Sequence, residues 1–232
     1  MSYFVYQSLL YTGLVLYTWQ RAQQSELYFR VAWNLAFILM VFGFFGGRLF
    51  HVFYEYPELY AQDWSRIFRF WEGGFVYFGG FMLAMAASAF YLHRENERFL
   101  IWADFYAPLL AVGYGMGRIG CILAGCCYGT FCDAPWAVQG RHPTQLYAFA
   151  TEMLLYFYLL KKEKDLPPVG TVFSLWLVGH GVGRLFMESY RSDFRGALVA
   201  GLSISSWISL LIFGTGMTLY STIQQKSGNR RS

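Results

Sequence analysis

The sequence VAWNLAFILMVFGFFGGRLF, residues 31–50, is an almost uninterrupted run of apolar side chains. A helix needs about 20 such residues to cross the hydrocarbon core of a bilayer, so this run predicts a membrane-spanning helix. We therefore predict an all-α integral membrane protein with about seven transmembrane helices, forming a single domain over residues 1–232. The other candidate segments lie near residues 3–19, 74–92, 99–117, 145–160, 169–188 and 199–220.

The composition excludes an ordinary soluble domain. Only 14% of the 232 residues are charged and 56% are hydrophobic, whereas a soluble domain usually carries about 25% charged residues. The net charge of +4 does not indicate nucleic-acid binding, because the basic residues are spread over many short connections. The first apolar segment has no basic n-region, so we expect a retained span rather than a cleaved signal peptide.

The distribution of basic residues predicts the orientation, because cytoplasmic connections carry excess Lys and Arg. With the C-terminus inside and the N-terminus outside, the long segments 51–73 and 118–144 face outward. The ten basic residues then on the cytoplasmic side are Arg21, Arg30, Arg94, Arg98, Lys161, Lys162, Lys164, Lys226, Arg230 and Arg231. The five on the outer side are Arg66, Arg69, Arg141, Arg191 and Arg195.

The outer connections are rich in Trp, Tyr and Phe, which is typical of segments that lie at the headgroup level. They fit either a lid over a lipid site or a plain interfacial belt. The aromatic residues of the first outer segment are Tyr54, Tyr56, Tyr60, Trp64, Phe70 and Trp71.

Charged side chains inside the apolar segments indicate a functional site, since each costs about 2.5–3.5 kcal/mol unless it is paired or hydrated. Arg48, Arg118 and Arg184 lie at or just inside the outward ends of their segments. His180, Arg184 and Glu188 follow one another at intervals of four and so share one helical face. An Arg184–Glu188 ion pair that only fixes packing is one interpretation.

An Arg184–Glu188 ion pair would not account for Arg48 and Arg118. Asp104 is about 21 Å from Arg118 along a helix, too far to neutralise it. Arginine stays charged and binds phosphate through two parallel hydrogen bonds, so an anionic phospholipid is the partner we expect. A glycine-rich stretch from Gly113 to Gly129 permits close approach of a ligand or of another helix.

Several short motifs together resemble one family. They are Gly47-Arg48-Leu49-Phe50-His51-Val52-Phe53-Tyr54, Trp71-Glu72-Gly73-Gly74, Gly79-Gly80, Gly117-Arg118-Ile119-Gly120, Tyr128-Gly129 and Arg141-His142-Pro143-Thr144-Gln145-Leu146-Tyr147, followed by Arg184 and Glu188. The chain resembles the bacterial prolipoprotein diacylglyceryl transferases over roughly residues 30–195. The resemblance implies a cytoplasmic (inner) membrane enzyme with its active site toward the periplasm. Members transfer the diacylglyceryl group of phosphatidylglycerol to the cysteine thiol of a lipobox and release glycerol phosphate.

The resemblance also implies residue roles. Arg118 and Arg184 would stabilise the charge that grows on the departing phosphate, and Glu188 would orient Arg184. His142 is a candidate base, because its ordinary pKa is about 6.5; it is alternatively a residue that starts a helix beside Pro143. The predicted substrate-binding residues are Arg48, Gly79, Gly80, Gly129, Arg141, Gln145, Tyr147 and His180.

Three positions depart from the family pattern. Phe78 replaces the histidine before Gly79-Gly80, Cys121 replaces an asparagine after Gly120, and Cys126 replaces an acidic residue. The four cysteines of the chain lie in one short run, at positions Cys121, Cys126, Cys127 and Cys132. For this run we consider a disulfide, small packing residues, or a thiolate activated by Arg118. The spacing lacks paired C-x₂-C motifs, so we predict no metal site, and we expect no cofactor.

The sequence thus predicts a phosphatidylglycerol-dependent diacylglyceryl transferase whose default acceptor is a prolipoprotein cysteine. Two alternatives remain. One is a related enzyme that uses the same lipid site for another acceptor or for glycerophosphoryl transfer. The other is a non-catalytic lipid-binding membrane protein that has lost activity together with the histidine replaced by Phe78.

Overall fold

The computed structural model describes residues 2–25, 27–191 and 199–229. Within these ranges the chain is helical and contains no β-strand, only isolated bridges such as Gly129 with Arg191. The α-helices are α1 (Ser2–Gln24), α2 (Phe29–Phe50), α3 (Pro57–Gln62), α4 (Tyr77–Arg94), α5 (Phe99–Leu123), α6 (Thr144–Lys164), α7 (Thr171–Glu188) and α8 (Ile204–Gly228). A π-helical turn follows α2, and two 3₁₀ turns follow α3.

Each of the seven predicted apolar segments coincides with a helix of at least 18 residues. Three stretches of the described chain are long and apolar enough to cross a membrane on these grounds alone: Phe29–Tyr54, Phe99–Leu123 and Ile204–Gly228. An all-helical fold with helices that could cross a membrane is therefore confirmed for the described residues, whereas the number of crossings and their direction stay predictions. Of the residues used to predict orientation, Arg195, Arg230 and Arg231 lie outside the described ranges.

The chain divides into two compact units, and we describe each by itself. The first unit comprises residues 1–10 and 100–232, and the second comprises residues 11–99. The prediction of a single domain over residues 1–232 stays a prediction.

In the first unit, α7 and α8 pack closely through glycines. A Cβ at Gly181 would lie 3.0 Å from the carbonyl oxygen of Ser209, and one at Gly216 would lie 2.8 Å from Cβ of Leu177. Small residues at such contacts let two helix backbones approach, which favours helix association in a membrane.

The start of α7 is fixed by Asp104 of α5. Its carboxylate accepts hydrogen bonds from the backbone N–H groups of Gly170, at 2.6 Å, and Phe173, at 2.8 Å. The first N–H groups of a helix have no partner within that helix, and a carboxylate there also interacts favourably with the helix dipole. Asp104 is thus used at the opposite end of α5 from Arg118, as its sequence separation predicted.

In the second unit, α2 packs against α4 through glycines on both helices. A Cβ at Gly80 would lie 2.5 Å from the carbonyl oxygen of Gly43, and one at Gly46 would lie 2.5 Å from that of Gly79. Helix α4 begins at Tyr77, later than predicted, because Gly73 and Gly74 adopt φ of 83° and 82°, values that glycine reaches without steric cost.

Candidate functional site

Tyr114 joins the two arginines predicted to be catalytic. Its hydroxyl accepts a hydrogen bond from Arg118 of α5 at 2.6 Å and another from Arg184 of α7 at 3.2 Å. The Arg118 guanidinium also lies over the Tyr114 ring, with its central carbon 4.4 Å from the ring centroid. A phenol oxygen has two acceptor lone pairs, so this one group brings two permanent positive charges together.

Arg184 is held mainly by hydroxyl groups. It donates to Ser205 of α8 at 2.7 Å, whereas its nearest approach to Glu188 is 3.9 Å. Glu188 instead accepts a hydrogen bond from Ser203 at 2.5 Å. The predicted orienting role of Glu188 stays a prediction, and the shorter contacts of Arg184 are to Tyr114 and Ser205.

A small cleft opens beside these arginines. Three of its lining residues are arginines from different parts of the unit, and among the residues that line it no carboxylate occurs. A concave site with three guanidinium groups and no acid suits an anion, because each group can offer parallel N–H donors to phosphate oxygens. The lining residues are Arg118, Cys127, Thr144, Gln145, Ala148, Arg184, Met187 and Arg191.

Gln145 gives the cleft a polar group of another kind. Its side-chain nitrogen donates to the carbonyl oxygen of Cys126 at 2.6 Å, while its amide oxygen is buried and has no hydrogen-bond partner among the described residues. Buried acceptors are usually hydrogen-bonded. The Gln145 amide oxygen is therefore suited to accept a hydrogen bond from a ligand hydroxyl.

His142, Tyr147 and Arg141 form a neighbouring group that does not line the cleft. The Nδ1 atom of His142 lies 3.2 Å from the Tyr147 hydroxyl, which also accepts from the indole N–H of Trp136 at 2.7 Å. Arg141 stacks on Phe131, with its guanidinium carbon 4.0 Å from the ring centroid. Base and headgroup roles for these residues stay predictions.

Gly129 permits the loop beside this group to close. A Cβ there would lie 2.6 Å from the carbonyl oxygen of Tyr190 and 2.7 Å from Cβ of His142. Its backbone N–H donates to the carbonyl of His142 at 2.9 Å. The structure thus gives Gly129 a packing role.

His180 is fully buried, one helical turn from Arg184. Its Nδ1 lies 2.5 Å from a carboxylate oxygen of Glu152 on α6, and its ring packs edge-on against Tyr114 at 4.7 Å between centroids. Substrate contact by His180 stays a prediction, and His180 is not among the residues that line the cleft. Glu152, which sequence reasoning missed, was detectable as a lone acid inside the apolar segment 145–160.

Tyr114 was also missed, although it lies four residues before Arg118 and so on the same helical face. Arg191 was considered only as an outward charge, yet it lines the cleft. Ser205 was missed as well, and no sequence signal distinguishes it from the other serines of α8.

Arg48, in the second unit, is accounted for without a ligand. Its guanidinium is buried and lies 5.4 Å from the Tyr60 ring and 5.7 Å from the Phe75 ring. Neutral carbonyl dipoles satisfy the donors of Arg48, and substrate binding by Arg48 stays a prediction. Those carbonyls belong to Arg66, Ile67, Arg69, Gly73 and Gly74.

Gly79 and Gly80 likewise have a packing explanation. A Cβ at Gly79 would lie 2.4 Å from Cβ of Phe50, and Gly80 approaches Gly43 as described above. The prediction that they bind substrate stays a prediction with no contact that favours it.

All four cysteines are free thiols. Cys121, Cys126 and Cys127 form a thiol cluster in which the sulfur atoms lie within 4.8 Å of one another. Hydrogen bonds with the Cys121 and Cys126 thiols, and then the charges of Arg191 and Arg118, lower the pKa of Cys127. The hydrogen bonds with Cys121 and Cys127 raise the pKa of Cys126, so Cys127 is favoured over Cys126 as the site of negative charge.

Comparison with known proteins gives one family. The profile described as "Prolipoprotein diacylglyceryl transferase" matches residues 4–222. The phosphatidylglycerol–prolipoprotein diacylglyceryl transferase of Nitrosospira multiformis is 37% identical over 185 residues, covering 75% of this chain and 64% of the relative. That of Nitrosomonas europaea is 35% identical over 185 residues, covering 75% and 66%.

The similarly named protein of Bordetella avium is 31% identical over 225 residues, covering 92% of this chain and 85% of the relative. The chain spans just under two thirds of the length of the first two relatives. The predicted resemblance is confirmed over most of the sequence: the chain belongs to the prolipoprotein diacylglyceryl transferase family.

Proposed function

We propose that this protein transfers the diacylglyceryl group of phosphatidylglycerol to an outward-facing acceptor, by default the lipobox cysteine thiol of a prolipoprotein. The observation that carries the proposal is the small cleft lined by Arg118, Arg184 and Arg191, whose described lining residues include no carboxylate. The names of the relatives, which specify both substrates, support it. The amide oxygen of Gln145 also supports it, because this oxygen has no hydrogen-bond partner in the described part of the chain and the phosphatidylglycerol headgroup ends in hydroxyl groups.

The proposed chemistry follows from where charge develops. The acceptor thiolate attacks the glyceryl carbon, the carbon–oxygen bond to the phosphate breaks, and glycerol phosphate leaves as a monoester with one additional negative charge. Guanidinium groups already in place stabilise this extra charge more than the single charge of the phosphodiester. Because Tyr114 holds Arg118 and Arg184 before the lipid binds, little reorganisation is needed.

The membrane arrangement belongs to the same proposal. The seven long helices would each cross a bacterial cytoplasmic membrane, with the N-terminus outside and the cleft near the periplasmic face. Arg118 lies five residues before the end of α5 and Arg184 four residues before the end of α7, which supports a site toward one surface. Cysteine accessibility at Cys126, the exposed thiol, to an impermeant maleimide in intact cells tests this orientation.

Mass spectrometry of a lipobox peptide incubated with the purified full chain and phosphatidylglycerol tests the reaction. We expect a diacylglyceryl mass increment on the peptide cysteine and equimolar glycerol phosphate. A different adduct would favour the related enzyme with another transfer, and no adduct on any acceptor, with phosphatidylglycerol still bound, would favour a non-catalytic lipid-binding protein. Either result overturns the proposal.

A further inference from the structure

The thiol cluster has the dimensions of a metal site. Cys126 and Cys127 have their sulfur atoms 3.6 Å apart, and the sulfur of Cys121 lies within 4.8 Å of both. Tetrahedral zinc with Zn–S bonds of about 2.3 Å separates its sulfur ligands by about 3.8 Å. One pair is therefore already at ligand spacing, and the third thiol needs to move by about 1 Å at most.

The backbone places these thiols together at the end of α5. The N–H of Cys126 donates to the carbonyl of Cys121 at 3.0 Å, and Gly125 and Cys127 both adopt a left-handed φ of 66°. A residue other than glycine in this conformation costs about 1–2 kcal/mol. The chain thus turns back on itself, so that residues five positions apart in sequence become neighbours.

Two side chains of α6 hold this turn in place. Thr144 donates to the carbonyl of Cys127 at 2.5 Å, and Gln145 donates to that of Cys126 at 2.6 Å. Both side chains are buried. The arrangement of the thiols is therefore fixed by neighbours that are themselves immobilised by packing, as a preorganised ligand set requires.

We infer that Cys121, Cys126 and Cys127 bind one thiophilic divalent cation of the zinc type, with an open fourth coordination position. Thiolates are the ligands that zinc prefers, and sites with three protein ligands and one open position are typical of catalytic rather than structural zinc. Cys127 lines the arginine cleft and Cys126 is exposed, so the fourth position adjoins the proposed phosphate site.

The surrounding charges fit such a complex. Three thiolates and one divalent cation sum to a charge of −1, and Arg118 and Arg191 act electrostatically on Cys127.

The open position suggests a role that rests on the proposed transferase function. A thiol that coordinates zinc loses its proton, so an acceptor cysteine bound there becomes a thiolate, and its proton passes to solvent. Its sulfur then attacks the glyceryl carbon, the carbon–oxygen bond breaks with the electron pair going to glycerol phosphate, and the thioether product dissociates. Coordination by the metal thus deprotonates the acceptor thiol, a step that otherwise requires a base. In this chain Phe78 replaces the family's histidine before Gly79-Gly80.

Titration of the metal-free, reduced full chain with Co²⁺ tests the site directly. We expect one equivalent to bind at micromolar concentration and to produce a thiolate-to-cobalt charge-transfer band. Replacing Cys121, Cys126 or Cys127 by Ser should weaken binding by more than about 100-fold, beyond the 10- to 100-fold typical for a residue that only supports a ligand. Cys132→Ser is the matched control, since Cys132 lies in the same loop but outside the thiol cluster.

The site is refuted if Co²⁺ binds only at millimolar concentration, or if Cys132→Ser weakens binding as much as the other three substitutions. Gel filtration of each variant checks that it is folded, and the exposed Cys126 is the position least able to disturb packing. These outcomes do not depend on transferase activity.

The role of the metal in the reaction is tested by measuring alkylation of a lipobox peptide, that is, transfer of the diacylglyceryl group to its cysteine, with metal-free and with zinc-loaded protein. We expect alkylation to fall at least tenfold on metal removal and to return with Zn²⁺, while phosphatidylglycerol binding is unchanged. Equal alkylation in both states would overturn the metal's role and leave the proposed function intact. Absence of alkylation in both states, with stoichiometric zinc bound, would overturn the proposed function and with it the metal's role, but leave the site.

Discussion

Arg48 and the Arg118–Arg184 pair are both arginines near the end of an apolar helix, yet their surroundings differ. Arg48 donates to five backbone carbonyl oxygens and lies between two aromatic rings. Arg118 and Arg184 share the hydroxyl of Tyr114 and line an open cleft with Arg191. In the first environment a loop surrounds the charge, and in the second the charges line the cleft that we propose binds a phosphate.

This difference shows that a buried arginine does not by itself indicate an anion site. The cost of placing a charge in hydrocarbon can be offset by backbone carbonyl dipoles as well as by an opposite charge, so an anion is not the only partner that a buried arginine can have. What distinguishes a binding site is the concentration of several cations around one concave space with no acid lining it.

The largest expected effect is on turnover at the cleft. Arg118→Ala or Arg184→Ala should lower kcat for peptide alkylation by about 10²–10³-fold, because each removes a preorganised donor from the developing phosphate charge. The melting temperature should change little. Retention of full turnover by both variants would remove the basis for assigning the cleft to phosphate.

Arg48→Ala should act on stability instead. It removes the hydrogen bonds from the guanidinium group to five backbone carbonyl oxygens, and hydrogen bonds to charged groups contribute about 1.5–3 kcal/mol each, so we expect the melting temperature in detergent to fall by more than about 5 °C. Arg48→Lys keeps the charge but not the planar guanidinium group. We expect its melting temperature to lie between those of the unsubstituted protein and of Arg48→Ala. An unchanged melting temperature combined with lost lipid binding would show that Arg48 is a ligand contact after all.

Tyr114→Phe should have a smaller effect, confined to catalysis. The substitution removes one acceptor from two guanidinium groups, and hydrogen bonds to charged groups contribute about 1.5–3 kcal/mol, so kcat should fall at least about tenfold. Tyr6→Phe is the control, because it also removes a hydrogen bond to α5, at 2.6 Å to the carbonyl of Met116. Equal losses in both variants would indicate a general effect on packing.

The smallest effects separate the two remaining partners of Arg184. Ser205→Ala removes a hydrogen bond of 2.7 Å and should lower kcat several-fold, whereas Glu188→Gln disturbs a contact of 3.9 Å and should lower it by less than about threefold. Steady-state kinetics of the two variants measured side by side would decide between them. A larger loss for Glu188→Gln would restore the orienting role that the sequence predicted for it.

The helices were predictable because hydrophobic runs of about 20 residues have few alternatives to a spanning helix. The residues at which these helices begin and end were less predictable. Helix α5 extends to Leu123, beyond the predicted residue 117, because Gly117 and Gly120 are tolerated within it and only Gly125 turns the chain into the left-handed region. Local composition does not fix where such a reversal falls.

At the candidate site, the charged members were predictable and their partners were not. Arg118 and Arg184 were recognisable because charges are rare in apolar segments. The carbonyls around Arg48 come from residues 18 to 26 positions later in the chain, and no side-chain pattern encodes them. The thiol cluster escaped because the cysteine spacing lacks C-x₂-C pairs, and the left-handed conformations of Gly125 and Cys127 that bring the thiols together are not encoded in that spacing.

The hydrogen bonds of Asp104 hold the start of α7 against α5. Fourteen residues separate Asp104 from Arg118, and fourteen separate Gly170, whose N–H it accepts, from Arg184. Each arginine therefore lies fourteen positions along its helix from the contact between Asp104 and Gly170, and Tyr114 forms hydrogen bonds with both arginines. Inserting a single alanine into either helix between these points would rotate its arginine by about 100° and displace it by about 1.5 Å, so we expect a change of length there to separate the two arginines.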